Sequence, residues 1–227
     1  MSIGSRFPKS DGAAKADGSG IYADDIALPR MLHAKILRSP HAHARIRGID
    51  VSEAEKVPGV IATLVGAELP VKYGVIPWTQ DETALAVEKV RFVGDEVACV
   101  AALDERTAEE ALRRIRVDYE VLPALLTPED ALAHPEIKVN ERAKVGNITK
   151  HVNLMFGDVD GAVSSAAAVV RETYRYAGST HAPIEPHCAV ARVDGDGNLT
   201  VWSSTQIPHY LQRELSRVLG LPQSRVR

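Results

Sequence analysis

Residues 90–124 read V-R-F-V-G-D-E-V-A-C-V-A-A-L-D-E-R-T-A-E-E-A-L-R-R-I-R-V-D-Y-E-V-L-P-A, and this stretch decides the expected fold. Strand-forming residues are concentrated at 89–92 and 96–102, on either side of a tight turn that contains Gly94. A third strand pattern follows at 115–119. A helix between the last two strands would give a βαβ-sized unit, or half of a split one.

The expected helix of this unit begins near Thr107. Glu110 stands three residues after Thr107, and this spacing predicts a capping box. The apolar positions Ala108, Ala111, Leu112 and Ile115 then recur at helical spacing.

The same patterns extend outward on both sides of this unit. On the amino-terminal side they predict strands at 31–38, 42–49 and 60–65, a short helix at 53–56 and an extended loop at 66–88. On the carboxyl-terminal side they predict strands at 148–156, 169–177, 188–193 and 199–203, with helices at 128–133, at 159–167 and after Pro208. The predicted fold class is α+β, with two regions joined near residues 135–147.

Composition excludes several kinds of partner. The 227 residues carry a formal net charge of −3, so the chain has no general attraction to nucleic acid or to an anionic membrane. No apolar run approaches the roughly 20 residues that cross a bilayer. Cys99 and Cys188 lie far apart in apolar runs and are expected to be free, buried thiols, which favours the cytoplasm.

Residues 179–212 contain the candidate functional residues. Gln206 stands where a strand pattern gives way to a helix pattern, a position typical of binding crevices, although the spacing alone favours a turn cap. Glu185 and His187 would share one face of a strand as a hydrogen-bonded pair. His41 and His43 lack a third ligand at zinc spacing, so a structural or solvent role is expected for both. The chain has no phosphate loop and no G-x-S-x-G serine motif.

Several long blocks resemble one known family. Residues 18–46, with G-S-G-I-Y-A-D-D-I-A-L-P-R-M-L-H-A-K-I-L-R-S-P-H-A-H-A-R-I, resemble the opening of the molybdopterin-binding large subunit of the molybdenum hydroxylases, and 90–124 resemble the next block of its hammerhead domain. F-G-D-V-D-G-A-V at 156–163, T-H-A-P-I-E-P-H at 180–187 and S-S-T-Q-I-P-H at 203–209 resemble the start of its molybdopterin-binding region. The family includes xanthine dehydrogenase, aldehyde oxidase and carbon monoxide dehydrogenase, and residues 69–86 look most like its 4-hydroxybenzoyl-CoA reductase branch, the alpha subunit.

The resemblance implies a domain arrangement. We expect a flexible arm at 1–14, a hammerhead domain at 15–134, a connection at 135–147 and the incomplete start of a molybdopterin-binding α+β domain at 148–227. The family's G-G-G-F-G segment, most of its cofactor-binding loops and its carboxyl-terminal glutamate have no counterpart here. The resemblance therefore implies a fragment, a split subunit or a truncated product that is inactive alone.

The resemblance also implies a function for the complete enzyme. It would carry out two-electron redox chemistry at molybdenum on an aromatic acyl-CoA, a purine, another heterocycle or an aldehyde. The molybdenum cofactor would be held with the remaining molybdopterin-binding polypeptide, and partner subunits would carry iron–sulfur clusters and FAD. Gln206 matches the family's S-T-Q motif, which places an amide beside the molybdenum. No metal ligand and no complete catalytic set is assigned to this chain.

Two other classes of function stay open. The chain could be a non-catalytic assembly module whose apolar edges dock on a partner. It could also be a small zinc hydrolase that uses His41, His43, His181 or His187.

Overall fold

The computed structural model describes Gly4, Arg6 and residues 8–227. Its helices are α1 (Gly12–Asp17), α2 (Ser52–Glu55), α3 (Glu105–Leu112), α4 (Pro128–Ala133), α5 (Val159–Ser165) and α6 (Pro208–Leu219). Its strands are β1 (His33–Arg38), β2 (Ala44–Asp50), β3 (Val60–Val65), β4 (Lys89–Val90), β5 (Glu96–Ala102), β6 (Arg116–Val121), β7 (Ala189–Val193) and β8 (Leu199–Ser203). This mixture of helices and antiparallel strands confirms the predicted α+β class.

Two compact units make up the described chain. One comprises Met1–Ala124 together with Glu185–Arg227, and the other comprises Leu125–Ile184. The predicted domain boundaries at 14, 134 and 147 stay predictions, and the arm predicted at 1–14 lies partly outside the described residues. Within that arm α1 begins at Gly12.

Strand β5 forms the centre of the first unit. It pairs antiparallel with β1 on one edge and with β3 on the other. Ala98 and Val100 point into a core with Ala54 and Ala111, whereas Val97 points into a second core cluster. Because β5 is buried on both faces, its sequence is a continuous apolar run rather than an alternating one.

The second sheet has the order β4-β2-β6 and is antiparallel throughout. The prediction of a βαβ unit at 96–119 is therefore wrong in its pairing. The two strands that flank α3 lie in different sheets, and neither pairs with the other. The strand predicted at 89–92 is also shorter, ending at Val90.

Helix α3 begins one turn earlier than its predicted cap. Asp104 is the N-cap, and its carboxylate accepts hydrogen bonds from the Thr107 backbone N–H at 2.8 Å and from the Thr107 hydroxyl at 2.9 Å. Thr107 is thus the residue that is capped, not the cap. Asp104 outcompetes it because a carboxylate at the N-cap also interacts favourably with the helix dipole.

The hairpin β7–β8 closes the first unit near the carboxyl end of the chain. Its strands pair antiparallel from Ala189 opposite Ser203 to Val193 opposite Leu199. Asp194 organises the turn, because its carboxylate accepts bonds from the backbone N–H groups of Asp196 and Asn198. The two strands that the sequence predicts at 188–193 and 199–203 are thus confirmed, and they pair as a hairpin.

The second unit, Leu125–Ile184, is held mainly by polar contacts. Thr127 caps α4 and Asp158 caps α5 through side-chain oxygens. The Asn147 side-chain amide donates to the carbonyls of Ala131, His134 and Ile137 at 3.0–3.3 Å. The short helices of this unit therefore depend on side-chain caps and on the partly buried amide of Asn147 rather than on apolar packing.

The strands predicted at 148–156 and 169–177 are wrong for this structure. The only pairing in the described part of these segments is an isolated bridge between Val145 and Ile148. The predicted helix at 159–167 is confirmed but ends at Ser165. A strand pattern needs a partner for its backbone groups, and the described residues of this unit provide none.

Candidate functional site

Gln206 lies in the link between β8 and α6. The Thr205 hydroxyl accepts the Ile207 N–H at 3.3 Å, and Pro208 occupies the first turn of α6, where its missing N–H has no consequence. At the other end of α6, Gly220 adopts a left-handed conformation with φ 66° and stops the helix. These local features fix the strand-to-helix transition where the sequence predicts it.

The strand-to-helix transition is part of a parallel crossover that the carboxyl end of the chain completes. Val226 forms a parallel bridge with Leu199 of β8. Arg227 donates its N–H to the Leu199 carbonyl at 2.8 Å, and its own carbonyl accepts the Val201 N–H at 2.8 Å. Because β8, α6 and this segment form a parallel crossover, Gln206 lies at the carboxyl end of a parallel strand and directly before a helix, where α/β folds bind ligands.

The Gln206 side chain is exposed, and within the described part of the chain its amide makes no hydrogen bond to protein. A turn cap would have its amide bonded to nearby backbone, so this geometry disfavours the capping role. A free, neutral amide can donate to an oxygen ligand of a metal cofactor without adding charge. An exposed amide without a protein partner is compatible with the cofactor role that the resemblance implies for Gln206, and that role stays a prediction.

Helix α6 contains a partly buried ion pair between two adjacent residues. Glu214 is buried, and Arg213 donates to its Oε1 at 2.7 and 2.8 Å. The Arg213 guanidinium also lies 4.9 Å from the ring centre of Tyr210. A buried carboxylate on an otherwise amphipathic helix is invisible to hydrophobic patterning, and sequence reasoning missed it.

A cleft of about 620 Å³ opens between the segment before β1 and the hairpin. It is lined by Ile21, Tyr22, Ala23, Ile26, Glu185, Val201, Trp202 and Ser203. Arg192 lies 5.8 Å from the Trp202 ring on the same hairpin. Glu185 is thus part of a cleft wall, and the segment that carries it and His187 is irregular rather than the strand assumed for a shared face.

Neither cysteine is an activated nucleophile. Cys99 and Cys188 are free and half-buried. Burial raises the pKa of the Cys99 thiol. Burial and the nearby carboxylate of Asp24 raise the pKa of the Cys188 thiol. Thiols of raised pKa stay protonated at neutral pH and react slowly.

The histidines do not form a metal centre in this structure. Nδ1 of His43 donates to the Pro123 carbonyl at 2.7 Å, and the His41 ring packs edge-on against Tyr119 with ring centres 5.0 Å apart. Among Gly4, Arg6 and residues 8–227, no group of three or more His, Cys, Asp or Glu side chains could hold a metal ion. The zinc hydrolase alternative, which also invoked His181 and His187, therefore has no ligand set in these residues.

Comparisons with known proteins agree with the resemblance. Residues 17–123 match the family "Aldehyde oxidase and xanthine dehydrogenase, a/b hammerhead domain", and residues 140–227 match the family "Molybdopterin cofactor-binding domain". The chain belongs to the molybdenum hydroxylase family, as a hammerhead domain followed by the start of a molybdopterin-binding domain.

Individual relatives show the same relationship. The chain is 38% identical to the nicotinate dehydrogenase large molybdopterin subunit of Eubacterium barkeri, over 99% of this chain and 52% of that protein. It is 36% identical to the carbon monoxide dehydrogenase large chain of Afipia carboxidovorans, over 92% of this chain and 28% of that one. The crystal structure of quinoline 2-oxidoreductase from Pseudomonas putida 86 superimposes with a TM-score of 0.85 at 31% identity, covering 99% of this chain and 29% of that one.

The chain therefore spans about half the length of one relative and under a third of the other two. In the described part of the chain, no helix has the length and apolar character needed to cross a membrane.

Proposed function

We propose that this chain is the amino-terminal part of the large subunit of a molybdenum-dependent oxidoreductase. The observation that carries the proposal is the consecutive match of a hammerhead domain and a cofactor-binding domain, with Gln206 placed at the end of β8 and its amide uncommitted. When bound, the molybdenum cofactor would supply two-electron redox chemistry at a carbon centre. This chain would contribute one wall of the cofactor pocket and one amide donor.

One proposed partner follows from the length of the relatives, and the other two follow from the family resemblance. The remaining molybdopterin-binding polypeptide would complete the pocket, and an iron–sulfur subunit and an FAD subunit would carry electrons away. The word "subunit" in the name of the Eubacterium barkeri relative is consistent with such a complex. The chain alone would neither retain the cofactor nor turn over substrate.

For the substrate we propose an electron-poor aromatic nitrogen heterocycle. Two of the three relatives named above act, by their names, on nicotinate and on quinoline, which are both compounds of this class. The rival candidate is an aromatic acyl-CoA, and the observation that favours it is the resemblance of residues 69–86 to the 4-hydroxybenzoyl-CoA reductase branch. A non-catalytic assembly module would bind the same partners without a metal requirement.

The experiment uses the chain assembled with the remaining large-subunit polypeptide and the two partner subunits. We expect about one molybdenum per assembled large subunit, measured by elemental analysis, and turnover of nicotinate rather than of an aromatic acyl-CoA. Gln206→Ala should lower kcat by about tenfold or more, because a lost donor to a charged or metal-bound group costs about 1.5–3 kcal/mol. Thermal unfolding of the isolated chain should not change, since the side chain is exposed there.

Gln212→Ala is the matched control, because Gln212 lies on α6, the helix that follows Gln206, and donates to the backbone carbonyls of Gln223 and Val226. It should lower stability and leave the molybdenum content per folded protein unchanged. An assembled enzyme without molybdenum would leave the assembly module as the better account. Unchanged kinetics of Gln206→Ala would remove Gln206 from the site.

A further inference from the structure

The buried side of helix α6 is centred on a carboxylate. Of the residues of α6, all of which the structure describes, only Glu214 is fully buried. Arg213 donates to its Oε1, whereas Oε2 is buried and has no hydrogen-bond partner in the part of the chain that the structure describes. A buried carboxylate oxygen without a donor is unfavourable, because its lost hydration is not compensated. The Oε2 atom therefore indicates that a donor should reach it.

A loop between β3 and β4 has a base that backbone contacts fix in place. The Tyr73 N–H donates to the Glu82 carbonyl at 2.9 Å, and the Glu82 N–H donates to the Tyr73 carbonyl at 3.2 Å. Inside the loop, a Cβ atom built on Gly74 would stand 2.9 Å from the Cα of Gln80, so the two sides of the loop are in close contact. The side chains of Tyr73 and Glu82 therefore leave from a well-defined backbone, and we call this segment the loop 73–82.

The base of the loop 73–82 is within electrostatic reach of α6. Partial burial, and then the negative charges of Asp81 and Glu214, raise the pKa of Glu82 above its ordinary value of 4.5. Burial, and then the charges of Glu82, of Glu96 on β5 and of Glu214, raise the pKa of Tyr73 above its ordinary value of 10.0. The charges that act on Glu82 from its own loop and from α6 are thus both negative, and they favour the protonated carboxyl.

We propose that Glu82 and Glu214 form a pH-dependent latch between the loop 73–82 and α6, in which the protonated carboxyl of Glu82 donates a hydrogen bond to the buried Oε2 of Glu214. The proton comes from the solvent, and it converts two carboxylates that repel each other into a donor and an acceptor. The latch is closed at acidic pH and loosened at neutral pH. Because α6 begins two residues after Gln206, closing the latch also restrains the helix that follows the candidate cofactor contact.

The sign of the pH effect follows from the direction of the shift at Glu82. A carboxyl group whose pKa is raised in the folded protein binds its proton more tightly there than in the unfolded chain. The folded state therefore gains stability from Glu82 as the pH falls through the raised value, and this gain is complete below the ordinary pKa of 4.5. At pH 7 the gain is absent, because both states then carry an ionised Glu82.

Nuclear magnetic resonance of the full chain, with carbon-13 in the glutamate carboxyl groups, follows the titration directly. The signal of Glu82 is the one that disappears in Glu82→Gln. In the wild type it should titrate above 4.5, and in Glu214→Gln its pKa should fall towards 4.5, because the facing charge and the acceptor are both removed. Glu53→Gln is the matched control on an exposed carboxylate, whose own pKa the hydrogen bond from Lys56 lowers, and it should leave the titration of Glu82 unchanged.

Glu82→Gln places an uncharged donor permanently at the same position, and its thermal unfolding tests the latch without changing the buried residue. Its Tm should exceed that of the wild type by about 2 °C at pH 7, and the difference should disappear as the pH falls to about 4. Glu53→Gln should not raise the Tm at pH 7, since the folded state favours the ionised form of Glu53. If Glu214→Gln does not fold, the Tm profile of Glu82→Gln decides the test.

Two results would contradict the latch. One is the same pKa for Glu82 in the wild type and in Glu214→Gln, or the same Tm for Glu82→Gln and the wild type at pH 7. The other is an equal loss of Tm for Tyr73→Phe at pH 5 and at pH 7, because the Tyr73 hydroxyl would then be the donor to Oε2 at every pH. Neither result bears on molybdenum binding, so an assembled enzyme that contains molybdenum but lacks these effects would retain the proposed function and lose the latch.

Discussion

Gly66 is a position where a single methyl group would collide with fixed backbone. It lies in a short 3-10 helix, Gly66–Glu68, and is itself buried. A Cβ atom built there would stand 2.3 Å from the Ala86 carbonyl oxygen and 2.8 Å from that of Leu85. Ala86 cannot easily retreat, because its N–H donates to the Glu96 carbonyl of β5 at 2.6 Å. The glycine is therefore required for close approach of two backbones.

Gly66→Ala should lower the free energy of unfolding by about 2–3 kcal/mol, the usual cost of forcing extra volume into a packed site. Urea denaturation of the purified chain, followed by far-ultraviolet circular dichroism, measures this change. Gly48→Ala is the matched control, since Gly48 is exposed and a Cβ there meets no atom within 4 Å. Equal midpoints for Gly66→Ala and the control would contradict the close approach.

At the scale of the element, helix α3 depends on the carboxylate of Asp104. The Thr107 N–H and then the Thr107 hydroxyl, both donating to this carboxylate, lower its pKa below the ordinary value of 3.8. A carboxyl group whose pKa is lower in the folded protein stabilises that state above its ordinary pKa. The stabilisation is lost as the pH falls from about 4 through the lowered value.

Asp104→Ala should therefore lower the Tm of the chain at pH 7, and the difference from wild type should shrink as the pH falls to about 3. Asp104→Asn should retain much of the stability at pH 7, because an amide oxygen also caps a helix. Glu110→Ala serves as the control, since the Asp104 cap does not use Glu110, which pairs with Arg114 on the surface. A larger loss for Glu110→Ala than for Asp104→Ala would restore the capping box that the sequence predicts.

The elements also show how far the sequence predicts this structure. Strands β3, β5 and β8 and helix α4 have the predicted bounds, because turn or helix-capping residues mark their ends in the sequence. The predicted pairing of the strands beside α3 was wrong, because periodicity shows which faces of a strand are buried and not which sheet the strand joins. The position of Gln206 before α6 was predictable, because a strand pattern ends before it and a helix pattern begins after it. The parallel contact of Val226 with β8 was not predictable, because a segment of two residues has no periodicity.

At the scale of the whole molecule, stability is unevenly distributed. Val100 of β5 is completely buried in the core of the first unit, and Phe156 of the second unit is 86% exposed. Removing atoms from a packed core costs transfer and cavity free energy, whereas removing atoms already in water costs neither. The free energy that holds the isolated chain should therefore reside almost entirely in the first unit.

Val100→Ala should lower the free energy of unfolding of the isolated chain by about 2 kcal/mol, although it removes only two methyl groups. Phe156→Ala removes a whole ring and should leave the calorimetric Tm of the isolated chain unchanged. Once the chain is assembled with the rest of the large subunit, Phe156→Ala should become the more destabilising of the two variants, because truncating a covered Phe156 would then cost about 3–5 kcal/mol. Scanning calorimetry of both variants, alone and assembled, measures this change. A Phe156→Ala variant as destabilised as Val100→Ala in the isolated chain would show that the second unit has a core of its own, and one with no effect in the assembled protein would show that residues near 156 stay uncovered there.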